Sequence, residues 1–400
     1  MSAALNPLTR PSPYNAAGPA RAAVLNDCTL REGEQSSSVA FTTAERCRIA
    51  EAIVAAGIPR LQIALSKTDA RANRDVISAA AGADTEALIL AFADDWRQQM
   101  EIAVAAGVTI LNVIVRASPR LLELLGSSPD DLVARSQESV AHARAIGARP
   151  VFSAGDTLRA EYPTLQRVYA AAIDSGAEAI YVLDTSGCAA PSAVSRVVGE
   201  IAQEVDVPIG IHAHNDLGLA LANALAAYEA GATLIDTCVN GMGDRCGNPS
   251  TDEVAVACAV VYGRDTGVRL DRLAGVSDLV AELSGVPIAA SKPLLGPNAH
   301  SHKLDIHVRA TLDDPLAFQP VHPELVGRRF SIALGKRSGP VGLTTRLREL
   351  ALPELDDAQT AAALAEVEAY AETNRAVVPD DVLAGIVDRV RAANAPSQPR

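Results

Sequence analysis

Long apolar runs are missing from this chain of 400 residues. No stretch reaches the length of a membrane span, and the opening residues hold no signal-peptide hydrophobic core, so neither a membrane protein nor a secretory leader is expected. Basic charge is also short: 35 Lys and Arg stand against 48 Asp and Glu, a formal net charge of -13. That balance argues against a nucleic-acid footprint, which needs a basic face. Cysteine is sparse, with residues at 28, 47, 188, 238, 246 and 258 and no CxxC pair. This excludes a disulfide framework and a cysteine zinc site, and suits reduced thiols in a cytoplasmic protein. A glycine-rich phosphate loop is absent too, since "NDCTLREGEQ" follows the first apolar run where a dinucleotide-binding fold carries its glycines. No Ser-His-Asp order or Cys-His pair competes for the chemistry.

What is present is a regular alternation. With 48% hydrophobic residues the chain can bury a large core, as one large domain with an appendage or as two or three smaller ones. Eight short apolar runs, "AAVLNDC", "RLQIAL", "ALILAF", "TILNVIV", "RPVFSA", "AIYVLDT", "PIGIHAH" and "TLIDTCV", alternate with alanine-rich stretches apolar at helical spacing. Several of those stretches end in Ala-Gly or Ser-Gly, a helix C-cap signal. Eight strand–helix repeats over a span near the usual size of roughly 250 residues predict an α/β fold, a (β/α)8 TIM barrel. After about residue 262 the alternation stops. "DRLAGVSDLVAELSG", "DDAQTAAALAEVEAYAETNR" and "PDDVLAGIVDRVRAA" read as helices of a mainly helical C-terminal appendage. It carries too little apolar surface to stand alone, which predicts packing on the barrel or on a partner subunit. The expected boundaries are a disordered, proline-broken arm over 1–22, the barrel over 23–285, a linker and helical subdomain over 286–392, and a disordered tail over 393–400.

"GIHAHNDLG" places two of only seven histidines at the end of the seventh run. Side chains in a strand alternate faces, so His212 and His214 point the same way and could be neighbouring ligands of one metal ion. Alone, the pair reads more readily as two solvent-facing histidines. The barrel adds a positional test, because its catalytic groups sit at the C-terminal ends of strands. Asp27, Arg31 and Glu32 follow the first run, Asp184 and Thr185 end the sixth, and Asn248 follows the eighth. Polar groups therefore converge on one face.

These segments resemble a known family in order. "LNDCTLREGEQ" resembles the DxTLR(D/E)GEQ opening of the DRE-TIM metallolyase superfamily, "LDTSG" its DTxG element, "IHAHNDLGLALANALAAYEAGA" its HxHND segment and "NGMGDRCGN" its NGxGERxGN loop. "KPLLGPNAHSHKLDIHV" and "ELVGRRFSIALGKRSG" resemble KPxxGxxxFxHxxGIHV and ELVGxxxxxxLGKHSG of the homocitrate synthase and isopropylmalate synthase family. The resemblance implies an acyltransferase that joins acetyl-CoA to a 2-oxo acid by Claisen condensation, giving a 2-substituted malate and CoA. It implies a divalent metal (Zn, Mn or Mg) on Glu32, His212 and His214, with Asn248 as a fourth ligand. Arg31 would stabilise the alkoxide, and Asp244, where the family has Glu, joins it among the catalytic groups. Gln35, Thr185 and Ser153 would bind substrate. His307 matches a histidine that reaches a neighbouring subunit's barrel and helps move the acetyl proton, which implies a homodimer with an exchanged C-terminal segment. The chain also stops before the leucine-sensing region of long isopropylmalate synthases, which implies no feedback by leucine.

The departures from the family concentrate away from the metal. Gln62 stands for a Glu, Gly155 for another Glu, Asp305 for the glycine of "GIH", Arg337 for the histidine of "GKHSG" and Phe318 for a tyrosine. An arginine that grips the distal carboxylate of 2-oxoglutarate is Val151 here, while Arg116 ends the fourth run. Arg116 is therefore expected to neutralise an anionic substrate tail, for which arginine is well suited, or else to point outward into solvent. A phosphonate tail would make the chain a 2-phosphonomethylmalate synthase acting on phosphonopyruvate. The remaining alternatives are a C–C lyase or aldolase of the superfamily, although the GGCP loop of the cleaving enzymes is absent, and a non-catalytic metal-binding paralogue.

Overall fold

The computed structural model describes residues 6–15 and 18–393. Residues 12–288 form one compact unit, and residues 6–11 with 289–393 form a second. The tail expected over 393–400 lies outside the described residues, apart from Ala393. So do residues 1–5 and 16–17 of the expected arm, but Thr9 in that arm bridges Val321 and Arg10 pairs with Asp314 at 2.6 Å.

All eight expected strands form. They are β1 (Val24–Asp27), β2 (Arg60–Gln62), β3 (Asp84–Leu90), β4 (Ile110–Arg116), β5 (Arg149–Gly155), β6 (Ile180–Asp184), β7 (Ile209–Ala213) and β8 (Leu234–Thr237). They close in chain order into an eight-stranded parallel barrel, with β8 returning to β1 in the register Val24↔Leu234 through Asp27↔Thr237. The fold is thus the TIM barrel that the alternation predicts. The helices between strands are α1 (Thr43–Ala55), α2 (Ala70–Ala79), α3 (Trp96–Ala106), α4 (Pro119–Leu125), α5 (Pro129–Ala145), α6 (Tyr162–Asp174), α7 (Pro191–Ile201) and α8 (Ala220–Glu229). α9 (Thr251–Val261) and α10 (Leu273–Ser284) follow β8.

Local sequence explains the boundaries. Thr42 and Glu45 form a reciprocal capping box that starts α1. Gly107 ends α3 at a φ of 98°, a conformation open to glycine without steric cost. Inside the barrel the period of two sorts each strand. Ile110, Val151, Ala179, Tyr181, Leu183 and Leu234 pack into one buried apolar cluster. Buried polar side chains share the interior, from Arg60 at the start of β2 to His212 near the end of β7.

The second unit pairs β9 (Ser301–His302) with β10 (Ser331–Ile332) and adds α11 (Asp305–Asp313), α12 (Pro340–Glu349), α13 (Asp357–Asn374) and α14 (Asp380–Ala393). It has an apolar core of its own, with Val308, Leu343, Leu347, Val367, Ile386 and Val387 all buried. That corrects the expectation that this segment lacks the apolar surface to stand alone. Its helix α12, "PVGLTTRLRE", reads as polar and β-branched in sequence, yet it buries Leu343 and Leu347 against α13 and α14.

Candidate active site

The turn after β1 throws two charged side chains to the mouth. Backbone N–H groups of Arg31, Glu32 and Gly33 all return to the carbonyl of Cys28, at 3.0, 2.7 and 3.2 Å. Glu32 is 2% exposed there, beside His212 at 4% and His214 at 6%. One ligand atom from each of the three lies within 4.8 Å of the others. His212 and His214 share a face, with ring centroids 5.0 Å apart and planes at 85°.

The hydrogen bonds behind the rings fix which nitrogen faces the site. His214 Nδ1 lies 2.8 Å from the carbonyl of Thr185, which can only accept, so Nδ1 carries the proton. Its Nε2 then presents a lone pair to Glu32 Oε1 at 3.0 Å. Two acceptors held this close call for a cation between them. Burial pushes His212 down to about 4, and burial together with Arg245 lowers His214, so neither ring readily supplies that charge as a proton. The donor set therefore fits a divalent metal, with Asp236 Oδ2 orienting His212 through Nδ1 at 2.8 Å. Asn248 fits less directly. It turns its amide nitrogen to His212 Nε2 at 3.2 Å and to the carbonyl of Ala213 at 3.0 Å, so its oxygen reaches an ion only if the amide turns over.

Arg31 lies beside the triad, donating from Nη1 to Glu32 and from Nε to Gln62. Gln35 donates to Glu32 Oε2 at 3.1 Å. The Thr185 hydroxyl accepts from the Asp156 N–H at 2.8 Å and keeps its own proton for a ligand. All of these border a cavity of about 490 Å3 at the mouth. Leu88, Ile114, Gly155 and Leu183 make one wall apolar. Ser153 also lines it, donating to Asn112 Oδ1 at 2.6 Å. Arg116 reaches it with its guanidinium 4.5 Å from the ring centre of Phe92 and no acidic partner among the described residues. Asp244 stands at the rim, tied to Arg245 at 2.6 Å. Arg245 in turn holds Asp216 and the Thr185 carbonyl, bracing the loops after β6, β7 and β8.

His307 is the expected site residue that this unit does not supply. It sits on α11 of the second unit, its ring 4.3 Å from Phe318 and 5.7 Å from His302. Sequence reading missed Asp236, Arg245, Arg60 and Glu86. The period of two in "TLIDT" points Asp236 inward with His212, a signal that was there to find. Arg60 and Glu86 gave none, because charged residues beside apolar runs look like strand ends.

Comparison with known proteins places the chain in a family. The HMGL-like family profile matches residues 22–280, and that of the homocitrate synthase post-HMGL domain-like region matches 294–375. A homocitrate synthase of Methanopyrus kandleri is 35% identical over 82% of this chain and 82% of its own. A 2-isopropylmalate synthase of Methanocaldococcus jannaschii is 31% identical over 91% of this chain and 71% of its own. Among solved structures, the HMG-CoA lyase of Bacillus subtilis superposes with a TM-score of 0.59 at 20% identity, covering 69% of this chain and 98% of that one, a likeness of fold. The chain belongs to the HMGL-like family of barrel enzymes, as its motifs imply. It is an enzyme.

Proposed function

We propose that this enzyme joins the acetyl group of acetyl-CoA to the keto carbon of a 2-oxo acid, releasing CoA and a 2-substituted malate. The observation that carries the reading is the convergence of Glu32, His212 and His214 beside Arg31. The names of the homocitrate and isopropylmalate synthases at 35% and 31% identity support it. Glu32, His212 and His214 would hold a divalent Zn, Mn or Mg ion, with Asn248 joining if its amide turns. Such an ion supplies Lewis acidity to the keto carbonyl.

The protein's own groups do the rest. Arg31 lies where its guanidinium can donate to the alkoxide formed as the new C–C bond closes. Thr185 donates its hydroxyl proton to the substrate carboxylate, and Gln35 and Ser153 line the acid's flanks. The acetyl methyl loses one proton as it bonds to the keto carbon, and the alkoxide gains one. Water then cleaves the thioester, leaving a carboxylate and the CoA thiol. Asp244 at the rim and His307, supplied by a second copy of the chain through an exchanged C-terminal segment, would handle the acetyl proton. The assembly proposed is therefore a homodimer.

Arg116 favours a finer reading. A guanidinium without an acidic partner at the edge of a cavity with an apolar wall suits an acid with an anionic tail, phosphonopyruvate among them. The test is thiol release from acetyl-CoA across a panel of 2-oxo acids, with and without chelator. Release with one acid, and its loss under chelator, is the expected result. Silence across the panel with metal bound would sink the condensation reading. In the same assay Arg116→Ala should raise KM about tenfold or more for an anionic-tailed acid and spare 2-oxoisovalerate; equal losses would remove the tail role.

A further inference from the structure

Below Arg31 the barrel holds a carboxylate that the proposed chemistry does not touch. Glu86, in the middle of β3, is 0% exposed and pairs in register with Gln62 on β2. Its Oε1 accepts from Gln62 Nε2 and, at 2.7 Å, from Asn112 Nδ2. Its Oε2 accepts from Arg60 Nε at 2.8 Å, from Arg60 Nη2, and from Asn26 Nδ2 at 3.3 Å. Every partner is a donor, as a carboxylate with nothing to donate requires.

The consequence runs through Gln62. An amide has one donating end and one accepting end. With the NH2 committed to Glu86, the oxygen is the end left for Arg31, and Arg31 Nε donates to it. Nη1 of Arg31 goes to Glu32, and Nη2 has no hydrogen-bond partner among the described residues. The guanidinium is held at one edge and free at another, toward the cavity it lines.

We propose that Glu86 is a positioning residue for Arg31, acting through Gln62, and that Gln62 and Glu86 are a matched pair whose charge sits on β3 and is balanced by Arg60. The positioning role rests on the function proposed above for Arg31. A carboxylate at 62 would face that of Glu86 across a buried register pair, a like-charge contact with no water to screen it. It would also lose the N–H that Glu86 now accepts. Exchanging the two residues restores one carboxylate and one amide across the register pair, with Arg31 and Arg60 still able to donate at either end, and leaves Asn112 facing an amide N–H in place of the carboxylate oxygen it now reaches.

The test compares the parent, Gln62→Glu, Glu86→Gln and the double variant by thiol release and by thermal unfolding. Gln62→Glu is expected to lower kcat about tenfold with KM for the 2-oxo acid within about twofold, because the interaction lost acts on the transition state. Adding Glu86→Gln should recover most of that loss and lift the melting midpoint above that of Gln62→Glu. The double variant keeps the net charge, so the comparison stands even where Glu86→Gln alone does not fold. A double variant no faster than Gln62→Glu overturns the positioning role, and a double variant that melts no higher than Gln62→Glu overturns the pairing. A parent that releases no thiol with any acid defeats the condensation reading separately, and with it Arg31's assumed task; the melting cycle then still decides the pairing.

Discussion

Asp236 meets His212 Nδ1 at 2.8 Å and takes a further bond from Asn26 Nδ2 at 2.9 Å, so its own position is fixed from two strands. A carboxylate behind an imidazole sets the ring's orientation and raises the basicity of its outer nitrogen. Asp236→Asn should therefore weaken metal binding about 10- to 100-fold while leaving the fold intact. Titration of the metal-free protein against a chromophoric chelator measures this, and unchanged affinity would deny Asp236 the role. At this scale the histidines, Glu32 and Arg31 were legible in the sequence, since each sits just past an apolar run. The Asn248 amide was not, because which of its ends faces His212 depends on the Ala213 carbonyl opposite.

At the scale of elements, the proposed metal ligands depend on how β6 and β7 fit. Gly210 pairs in register with Tyr181, and a Cβ at Gly210 would come within 2.4 Å of the Tyr181 ring. The glycine lets a large aromatic ring fill the barrel beneath His212. Gly210→Ala should cost about 1–3 kcal/mol by overpacking, read as a lower urea midpoint at unchanged slope. A midpoint equal to the parent's would show that the ring can move aside. The strands themselves were readable from apolar runs and the long helices α13 and α14 from their periodicity. α12 was not, because its stability comes from burying Leu343 and Leu347 rather than from propensity.

Over the whole molecule, a buried acid adds a component to the pH dependence of stability that falls as pH rises. Asp27, at the end of β1, accepts from the Thr29 N–H and the Thr251 hydroxyl, both at 2.9 Å. Burial nonetheless pushes its carboxyl up from 3.8 to about 6. A folded-state value above the unfolded one means that the native protein holds the proton more tightly. Its stabilising contribution is full below the unfolded value and is lost as pH rises through about 6. The shift amounts to roughly 3 kcal/mol at most. Asp27→Asn keeps an acceptor for Thr29 and offers Thr251 a donor. It should remove this component of the slope between pH 4 and 6.5 and raise stability at neutral pH, as urea unfolding at several pH values would measure. A parent slope retained in the variant would assign it to other groups.

The order of residues by itself determined the alternation of strand and helix, the parallel barrel that follows from it, and the placement of polar groups after strand ends. Those are local properties, set by side-chain period, caps and turns within a few residues of each other. Which polar groups meet was decided only by the pairing of the strands and the closure of the barrel. Glu32 and His214 are 182 positions apart in the chain and 3.0 Å apart in space because β8 returns to β1. The buried hub of Glu86, Arg60 and Gln62 belongs to the same class. Its charges are tolerable only where three strands, β1, β2 and β4, bring donors to one carboxylate on β3, and no short window of sequence contains that meeting.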